Sequence, residues 1–372
     1  MSRDNLVIIH FQPLELYPPI QNLLIILNEY PHSKKIKTIT TNQNGFSDFY
    51  FGQTEKNEII RKDVHSENRL FRFLKFFNFY VFTYFTLIKE KPKQIIYFES
   101  LSALPVLLYK ISHSKTKVFA HYHEYTSPSE YKSNMIIQRM NHWLEKRTFN
   151  KFEWISHTNE KRLELFSGDN PKIKKSILKK LPNYPSKKWI ETLKDYRNVE
   201  IKKINFIYVG PLSFEDTYIR EICEFISVRN ELTLELYSQR ITTEFVNYFS
   251  ERQFSNILLL GAIDYFNIPN KLVANQIGLI LYKCNTLNQT YCAPNKLFEY
   301  LSCGLDVWYP RQMIGCEEFK SNLNPKVIEI DFLNIEKSIA NYSFEFPDKK
   351  FPNLQFCAEA ATKGLVDQLL ND

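Results

Sequence analysis

Glycine is scarce in this chain, 9 of 372 residues. That scarcity argues against repeated Gly-rich phosphate loops and leaves any phosphate to be held by other means. The six cysteines, Cys223, Cys284, Cys292, Cys303, Cys316 and Cys357, all fall in the second half, with no Cys-x-x-Cys pair and no paired Cys/His spacing for zinc. A reduced, cytosolic chain is the simpler reading. An Asp-x-Asp motif is also missing, so neither a catalytic metal nor a cofactor is expected. Met1 to Asn5 leads straight into the short run Leu6 to Ile9 without a signal peptide. Export is therefore not expected, and the sequon at Asn288-Gln289-Thr290 would carry no sugar. The chain has no internal repeat, no low-complexity tract and no recognisable RNA- or DNA-binding motif, so nucleic acid is not an expected partner.

What is abundant is aromatic and basic: Phe 30, Tyr 22 and a net charge of +7. The charge is uneven. Residues 1–190 hold 30 Lys and Arg against 17 Asp and Glu, a balance of +13, while the remaining 182 carry −6. The basic surface belongs to the first half, where anionic lipid, a diphosphate-bearing acceptor or nucleic acid would each answer it.

Length points to two domains, each able to bury its own core. Apolar runs at Leu6–His10, Lys35–Thr41, Glu58–Lys62, Gln94–Phe98, Lys117–His121 and Phe152–Ser156 read as strands. They alternate with helical patterns, among them one from Pro18-Pro19 onward and a long one over Ser129–Phe149; a short helix, Asn159–Phe166, is closed by Gly168. A Lys- and Pro-rich segment, Asp169 to Val199, has the composition of an interdomain connection. A second alternation follows, with strands Ile204–Val209, Leu232–Tyr237, Ile257–Leu260, Ile277–Tyr282 and Leu305–Trp308, and a last helix over Leu354–Leu370. Repeated βαβ units predict parallel sheets with right-handed crossovers. The expected division is 1–180, 181–352 and a terminal helix within 353–372.

Within the first half, Arg69 to Lys93 holds an apolar run of about 19 residues, close to bilayer-spanning length. Arg72, Lys75 and Asn78 interrupt it and a strand follows. The expectation is a helix packed on the sheet by one face, with Arg69, Arg72, Lys75 and surplus aromatics toward an anionic membrane surface; a crossover helix wholly covered by protein is the alternative. At the carboxyl end of one strand stands His121-Tyr122-His123-Glu124-Tyr125, where ligands of open α/β sheets bind. His10, Gln12 and Glu15 follow the first strand, and Glu99 follows the fourth. Each of the first three could face a ligand or lie in a solvated loop.

The stretch around which the rest is organised is Tyr291 to Trp308. Pro294 suits a first helical turn, Leu297, Phe298 and Leu301 make an apolar stripe, and Gly304 is placed to end the helix. Its N-terminus would suit a diphosphate. Lys296 adds a positive charge, and the Glu299 carboxylate, one turn in, can accept two hydrogen bonds from the vicinal hydroxyls of a ribose.

Pro294-Asn295-Lys296-Leu297-Phe298-Glu299-Tyr300, followed by two small residues and Gly304, resembles the nucleotide-sugar motif of retaining glycosyltransferases of the GT-B, family 4 type. His123-Glu124-Tyr125 and Pro182-Asn183-Tyr184-Pro185 are similar to that family's sequences at the corresponding places. The resemblance implies an α/β, GT-B chain: two Rossmann-like domains with parallel sheets facing across a cleft, the first on the acceptor side and the second binding a nucleotide sugar. It further implies that His123 and Glu124 stand beside the donor sugar. Gly210 would let the backbone approach the donor, Ala262 and Ile263 would meet the base, and Thr290, Tyr291, Cys292 and Ala293 would present N–H groups to the sugar. Asn295, Lys296 and Arg240 would hold the diphosphate, and Glu299 the ribose. His10, Gln12, Glu15 and Glu99 would face the acceptor.

Two departures stand out: Tyr291 occupies the place where the family often has a Glu, and Ser213 to Asp216 replaces its usual Arg and Lys. The resulting expectation is a metal-independent, retaining glycosyltransferase at the inner face of a cell membrane. It would move a sugar from a nucleotide diphosphate donor to a glycan acceptor, often lipid-linked, in bacterial polysaccharide assembly. A degenerate GT-B binding subunit and a nucleotide-sugar 2-epimerase are the alternatives.

Overall fold

The computed structural model describes residues 5–42, 54–133, 135–192, 203–344 and 353–370. The chain divides into two compact units, one made of Met1–Pro182 with Ala358–Asp372, the other of Asn183–Cys357. Each is built on a wholly parallel sheet.

In the first unit β1 (Asn5–His10), β2 (Lys35–Thr41), β3 (Asn57–Lys62), β4 (Gln94–Phe98), β5 (Lys117–Tyr122), β6 (Trp154–His157) and β7 (Leu178–Lys180) pair in the order β3-β2-β1-β4-β5-β6-β7. Helices cover both faces, so the central strands are buried on both sides, and Leu6 to Ile9 and Ile95 to Tyr97 are wholly inaccessible. The last helix, Ala358–Leu370, belongs to this unit. Tyr30 donates to Asp367 Oδ1 at 2.7 Å, Lys34 Nζ to the Leu369 carbonyl at 3.1 Å and Gln94 Nε2 to the Gln368 carbonyl at 2.8 Å.

The second unit holds β8 (Ile204–Val209), β9 (Leu232–Tyr237), β10 (Ile257–Gly261), β11 (Ile277–Leu279), β12 (Asp306–Pro310) and β13 (Val327–Ile330), in the order β10-β9-β8-β11-β12-β13. This is the 3-2-1-4-5-6 order of a Rossmann sheet.

Several elements differ from the sequence reading for local reasons. The pattern over Ser129–Phe149 is two helices, Pro128–Ser133 and Ile136–Thr148, because Met135 between them is extended. Gly168 lies inside helix Glu160–Asp169. Asn170 ends that helix, its side chain donating to the Phe166 carbonyl at 2.9 Å. The strand β7 is three residues long with two lysines, a charged edge that carries no apolar alternation.

Helix Arg69–Glu90 is capped by Asn68, whose Oδ1 accepts the Leu70 N–H at 2.8 Å. Its second half buries Phe79, Tyr80, Thr83 and Leu87. Its first half is uncovered, with Leu70, Phe71, Phe73, Leu74 and Phe77 between 49% and 65% exposed. Arg72 is exposed; the side chain of Arg69 lies outside the described residues. Lys75 is tied down, donating to Asp63 Oδ2 and to the His65 carbonyl, both at 2.5 Å. Among the described residues no helix is long and apolar enough to cross a membrane.

Candidate functional site

In the first unit the strand order turns at β1 and β4, the place where a parallel sheet opens a crevice at its carboxyl edge. There β1 ends at His10, β4 runs into Glu99 and β5 into His123. Glu99 sits at φ 63°, ψ 150°, a conformation that costs a non-glycine residue about 1–3 kcal/mol. Its N–H bonds the His121 carbonyl at 3.1 Å, and its carboxyl oxygen Oε1 accepts the N–H groups of His123 at 2.6 Å and Glu124 at 3.3 Å. Burial pushes the Glu99 pKa up to about 8, helped by the nearby Glu124; the two N–H bonds and Arg162 pull only part of the way back. At neutral pH this carboxyl therefore carries a proton beside the exposed Glu124.

Rings fix the rest of the edge. His123 stacks on Phe98 with centroids 5.4 Å apart, and His121 meets His123 edge-on at 4.5 Å while its Nδ1 bonds Ser156 at 2.9 Å. His10 is fully buried, with Tyr17 at 4.5 Å and His123 at 6.5 Å. Desolvation, then the neighbouring His123, hold it well below the usual histidine range, so it is a neutral ring. The carbonyl of His123 accepts Arg162 Nη1 at 2.5 Å, and the same nitrogen reaches Thr158 at 2.9 Å.

Of the other two acceptor-side residues, Glu15 pairs with Arg61 at 2.6 Å, and Gln12 is held through its backbone carbonyl, which accepts the Thr40 hydroxyl at 2.7 Å.

A residue invisible in the sequence holds this edge together. Glu145, on helix Ile136–Thr148, is wholly buried and accepts the hydroxyls of Tyr97 at 2.8 Å, Tyr122 at 2.6 Å and Ser100 at 2.5 Å. Those three residues lie one or two positions from Glu99 and His123, so one carboxyl ties β4, β5 and the helix together where the functional side chains emerge. Burial raises its pKa to about 7 against three stabilising hydrogen bonds.

In the second unit the matching edge centres on helix Asn295–Ser302. Pro294 is its N-cap and provides no side-chain cap. Its end is a Schellman turn: Gly304 at φ 69°, with Gly304 N–H to the Leu301 carbonyl and Leu305 N–H to the Tyr300 carbonyl, both 3.0 Å. Gly278 on β11 lets the Tyr300 ring lie against the strand; a Cβ there would stand 2.3 Å from the ring.

Thr286 caps a one-turn helix, Leu287–Thr290, that takes up N–H groups expected to face a sugar. Those of Thr290, Tyr291 and Cys292 donate to the carbonyls of Thr286, Leu287 and Gln289 at 3.0, 3.0 and 3.4 Å. Among the described residues the N–H groups of Ala293, Asn295 and Lys296 have no acceptor, and these are the donors left at the head of the signature helix.

Glu299 is 5% exposed, and burial raises its pKa to about 7, against the pull of Lys296 and a hydrogen bond from Tyr265. Gly210, following β8, has Tyr208 and the Lys296 stem so close that a Cβ would stand 2.7 Å from the Tyr208 hydroxyl. Ala262 and Ile263 follow β10 and immediately precede the Asp264-capped turn that carries Tyr265. Arg240 has an exposed side chain, and its carbonyl accepts the Leu212 N–H at 2.8 Å, which holds the loop after β9 beside the one after β8. The donor-side residues of this unit thus gather at the carboxyl edge of one sheet.

No protein-family model matches the chain, and no curated protein matches its sequence. Solved structures do match in three dimensions. A lipopolysaccharide outer core galactosyltransferase, WaaB, in its apo form superposes with a TM-score of 0.60 at 14% identity, over 90% of this chain and 89% of that one. The sucrose-phosphate synthase of Thermosynechococcus elongatus gives 0.62 at 13% identity, over 91% and 89%. The UDP-GlcNAc 2-epimerase of Neisseria meningitidis bound to UDP-GlcNAc gives 0.63 at 12% identity, over 99% and 100%. This chain has the GT-B fold. At such identities the likeness carries the fold alone, and in GT-B terms the two Rossmann-like units are the two sheets of 7 and 6 strands.

Proposed function

We propose that this protein acts on a nucleotide sugar, transferring its sugar with retention to a lipid-borne glycan acceptor in bacterial polysaccharide assembly. Support for the donor comes from the head of helix Asn295–Ser302. Three unused N–H groups and Lys296 meet a diphosphate there, and the buried Glu299 meets the ribose. The phosphate leaving the donor takes the acceptor proton, and the N–H groups at the head of helix Asn295–Ser302 with Lys296 meet the charge that develops on it. With the diphosphate assigned to N–H groups and Lys296, activity is expected to persist in EDTA. Full loss, restored by magnesium or manganese, would mean that a cation holds the diphosphate instead.

The observation that carries transfer to a membrane acceptor is apolar surface left uncovered on two helices of the first unit. Leu70, Phe71, Phe73, Leu74 and Phe77 are exposed on one, and Met135, Ile136 and Met140 at the start of the other, Ile136 to 81%. The two helices are bridged by Asn141, whose side chain donates to Tyr80 at 3.4 Å and to the Ser100 carbonyl at 2.8 Å. Ser100 follows Glu99, so Asn141 ties this pair of helices to the edge that holds Glu99 and His123. Arg72 and Arg139, both exposed, give the two helices positive charge, and each basic residue at an anionic surface contributes about 1 kcal/mol.

The protein is expected to co-sediment with anionic vesicles and much less with neutral ones. Arg72→Glu with Arg139→Glu should remove binding at low salt, and Phe73→Ser with Phe77→Ser should remove the part that survives high salt. A wild type that stays in the supernatant with both lipids would rule out the lipid-borne acceptor.

A second reading, 2-epimerisation of a nucleotide sugar, is favoured by the pairing of proton-bearing Glu99 with Glu124, an acid and a neighbouring carboxyl at one edge. Incubation of nucleotide sugars in heavy water separates the two. Deuterium entering C2 of the donor supports epimerisation; a new glycoside on a lipid-linked acceptor without exchange supports transfer.

A further inference from the structure

Tyr265 opens the short turn Tyr265–Asn267 of the second unit, two residues beyond Ile263, and is partly buried. Its backbone and its ring are both fixed. The Asp264 carboxylate caps the turn by accepting the Phe266 N–H at 2.9 Å, and the Phe266 ring meets that of Tyr265 edge-on at 5.2 Å. Trp189, wholly buried on helix Lys187–Glu191, stacks on the Tyr265 ring with centroids 5.8 Å and planes 27° apart, and its Nε1 donates to the Tyr265 carbonyl at 3.0 Å. Ser186 in turn caps that helix, accepting the Trp189 N–H at 3.3 Å.

Tyr265 packs on the core cluster that holds Leu297 and Phe298 of helix Asn295–Ser302, and its hydroxyl donates to Glu299 on the same helix. Glu299 is 5% exposed, and a carboxylate so buried needs donors to stay ionised. The charge of Lys296 favours that form too, but a phenol on a braced turn also fixes where the carboxylate stands. An ionised carboxylate has about four acceptor positions. One bond from Tyr265 therefore leaves room for both hydroxyls of a ribose.

We propose that Tyr265 is a positioning residue of the donor site: its hydroxyl, braced by Trp189, holds the Glu299 carboxylate where it receives the two ribose hydroxyls, at a set distance from the loop of Ala262 and Ile263. The ribose in this assignment rests on the donor reading above; the hydrogen bond does not. Without the hydroxyl the buried carboxyl has one donor fewer and keeps its proton to higher pH, where it accepts less from a sugar.

Tyr265→Phe tests this, because the ring keeps its stack on Trp189 and only the hydroxyl is removed. Carbon NMR of the ligand-free full chain, with glutamate labelled at the carboxyl carbon, follows the titration of Glu299, whose signal is the one absent from Glu299→Gln. Its midpoint, about 7 in the wild type, should rise by about one pH unit in Tyr265→Phe. Calorimetry with UDP-glucose, UDP-N-acetylglucosamine and GDP-mannose reads the donor site in the same two proteins. A probe that binds the wild type should bind Tyr265→Phe about tenfold more weakly at pH 6 and within about twofold of wild type at pH 8.5, where the carboxyl of either protein is mostly ionised. A midpoint that does not move overturns the proposal, and so does a deficit that is absent or the same at every pH, the mark of packing alone. If no probe binds the wild type while Tyr265→Phe still moves the midpoint, the ribose assignment falls with the donor reading and only the contact between Tyr265 and Glu299 remains.

Discussion

Glu299→Ala is expected to weaken nucleotide-sugar binding about 10- to 100-fold while the protein stays folded. A carboxylate accepting hydrogen bonds from two ribose hydroxyls makes charge-assisted bonds worth roughly 1.5–3 kcal/mol, and each 1.4 kcal/mol is about a factor of ten. The raised pKa of Glu299, about 7, adds a second signature. A ribose favours the ionised carboxylate, so wild-type affinity should rise between pH 6 and pH 8, as the proton leaves. A nucleotide diphosphate sugar is the ligand to use, because its diphosphate does not titrate in that window and any slope belongs to the protein. In Glu299→Gln the slope should flatten. Calorimetric titration across a panel of nucleotide sugars measures both quantities, and unchanged affinity in Glu299→Ala would remove the ribose assignment.

The fold was largely legible because its determinants are local. Pro294 and Gly304 punctuate the signature helix within eleven residues, and the apolar runs of β1, β4, β8 and β9 stand out against polar loops. The edge strand β7 escaped notice because Leu178-Lys179-Lys180 has no buried face to pattern it. Lys75 read as a free surface charge only because its partner, Asp63, lies twelve residues away across a turn.

Much of the site was hidden for the same reason on a larger scale. The partners of Glu145 lie 48, 23 and 45 residues away in sequence. In its own helix it is one acid among mixed charges, indistinguishable from a solvated face. His157 and Arg162 likewise leave no mark in the sequence, since burial is what gives each its character. The N–H groups of Thr290 to Cys292 looked available because a single Thr-capped turn, Leu287–Thr290, leaves almost no trace in composition. Sequence spacing reported which residues reach the sheet edges; it could not report which of them already have partners.

The buried Glu145 supplies the other large effect. Glu145→Ala strands the hydroxyls of Tyr97, Tyr122 and Ser100, and an unsatisfied buried donor costs about 1–3 kcal/mol. Partial rescue is built in: Tyr97 and Tyr122 are 3.1 Å apart and Ser100 has Tyr131 at 2.9 Å. Three such donors would cost about 3–9 kcal/mol together, so with this rescue the net loss should fall near the lower end of that sum, about 3 kcal/mol, read as a drop in the urea midpoint. Glu145→Gln should lose much less, because its amide oxygen can accept from both tyrosines, and it also isolates the proton. Burial raises the Glu145 pKa from 4.5 to about 7, so between those values the folded protein holds a proton that the unfolded chain has released. Stability from this group is present at pH 4.5 and is lost as pH rises to about 7, at up to about 1.4 kcal/mol per pH unit. Glu145→Gln lacks that loss, so its stability relative to wild type should improve from pH 5 to pH 7.5. A difference that stays constant over this range would mean that the Glu145 carboxyl is ionised in the folded protein throughout.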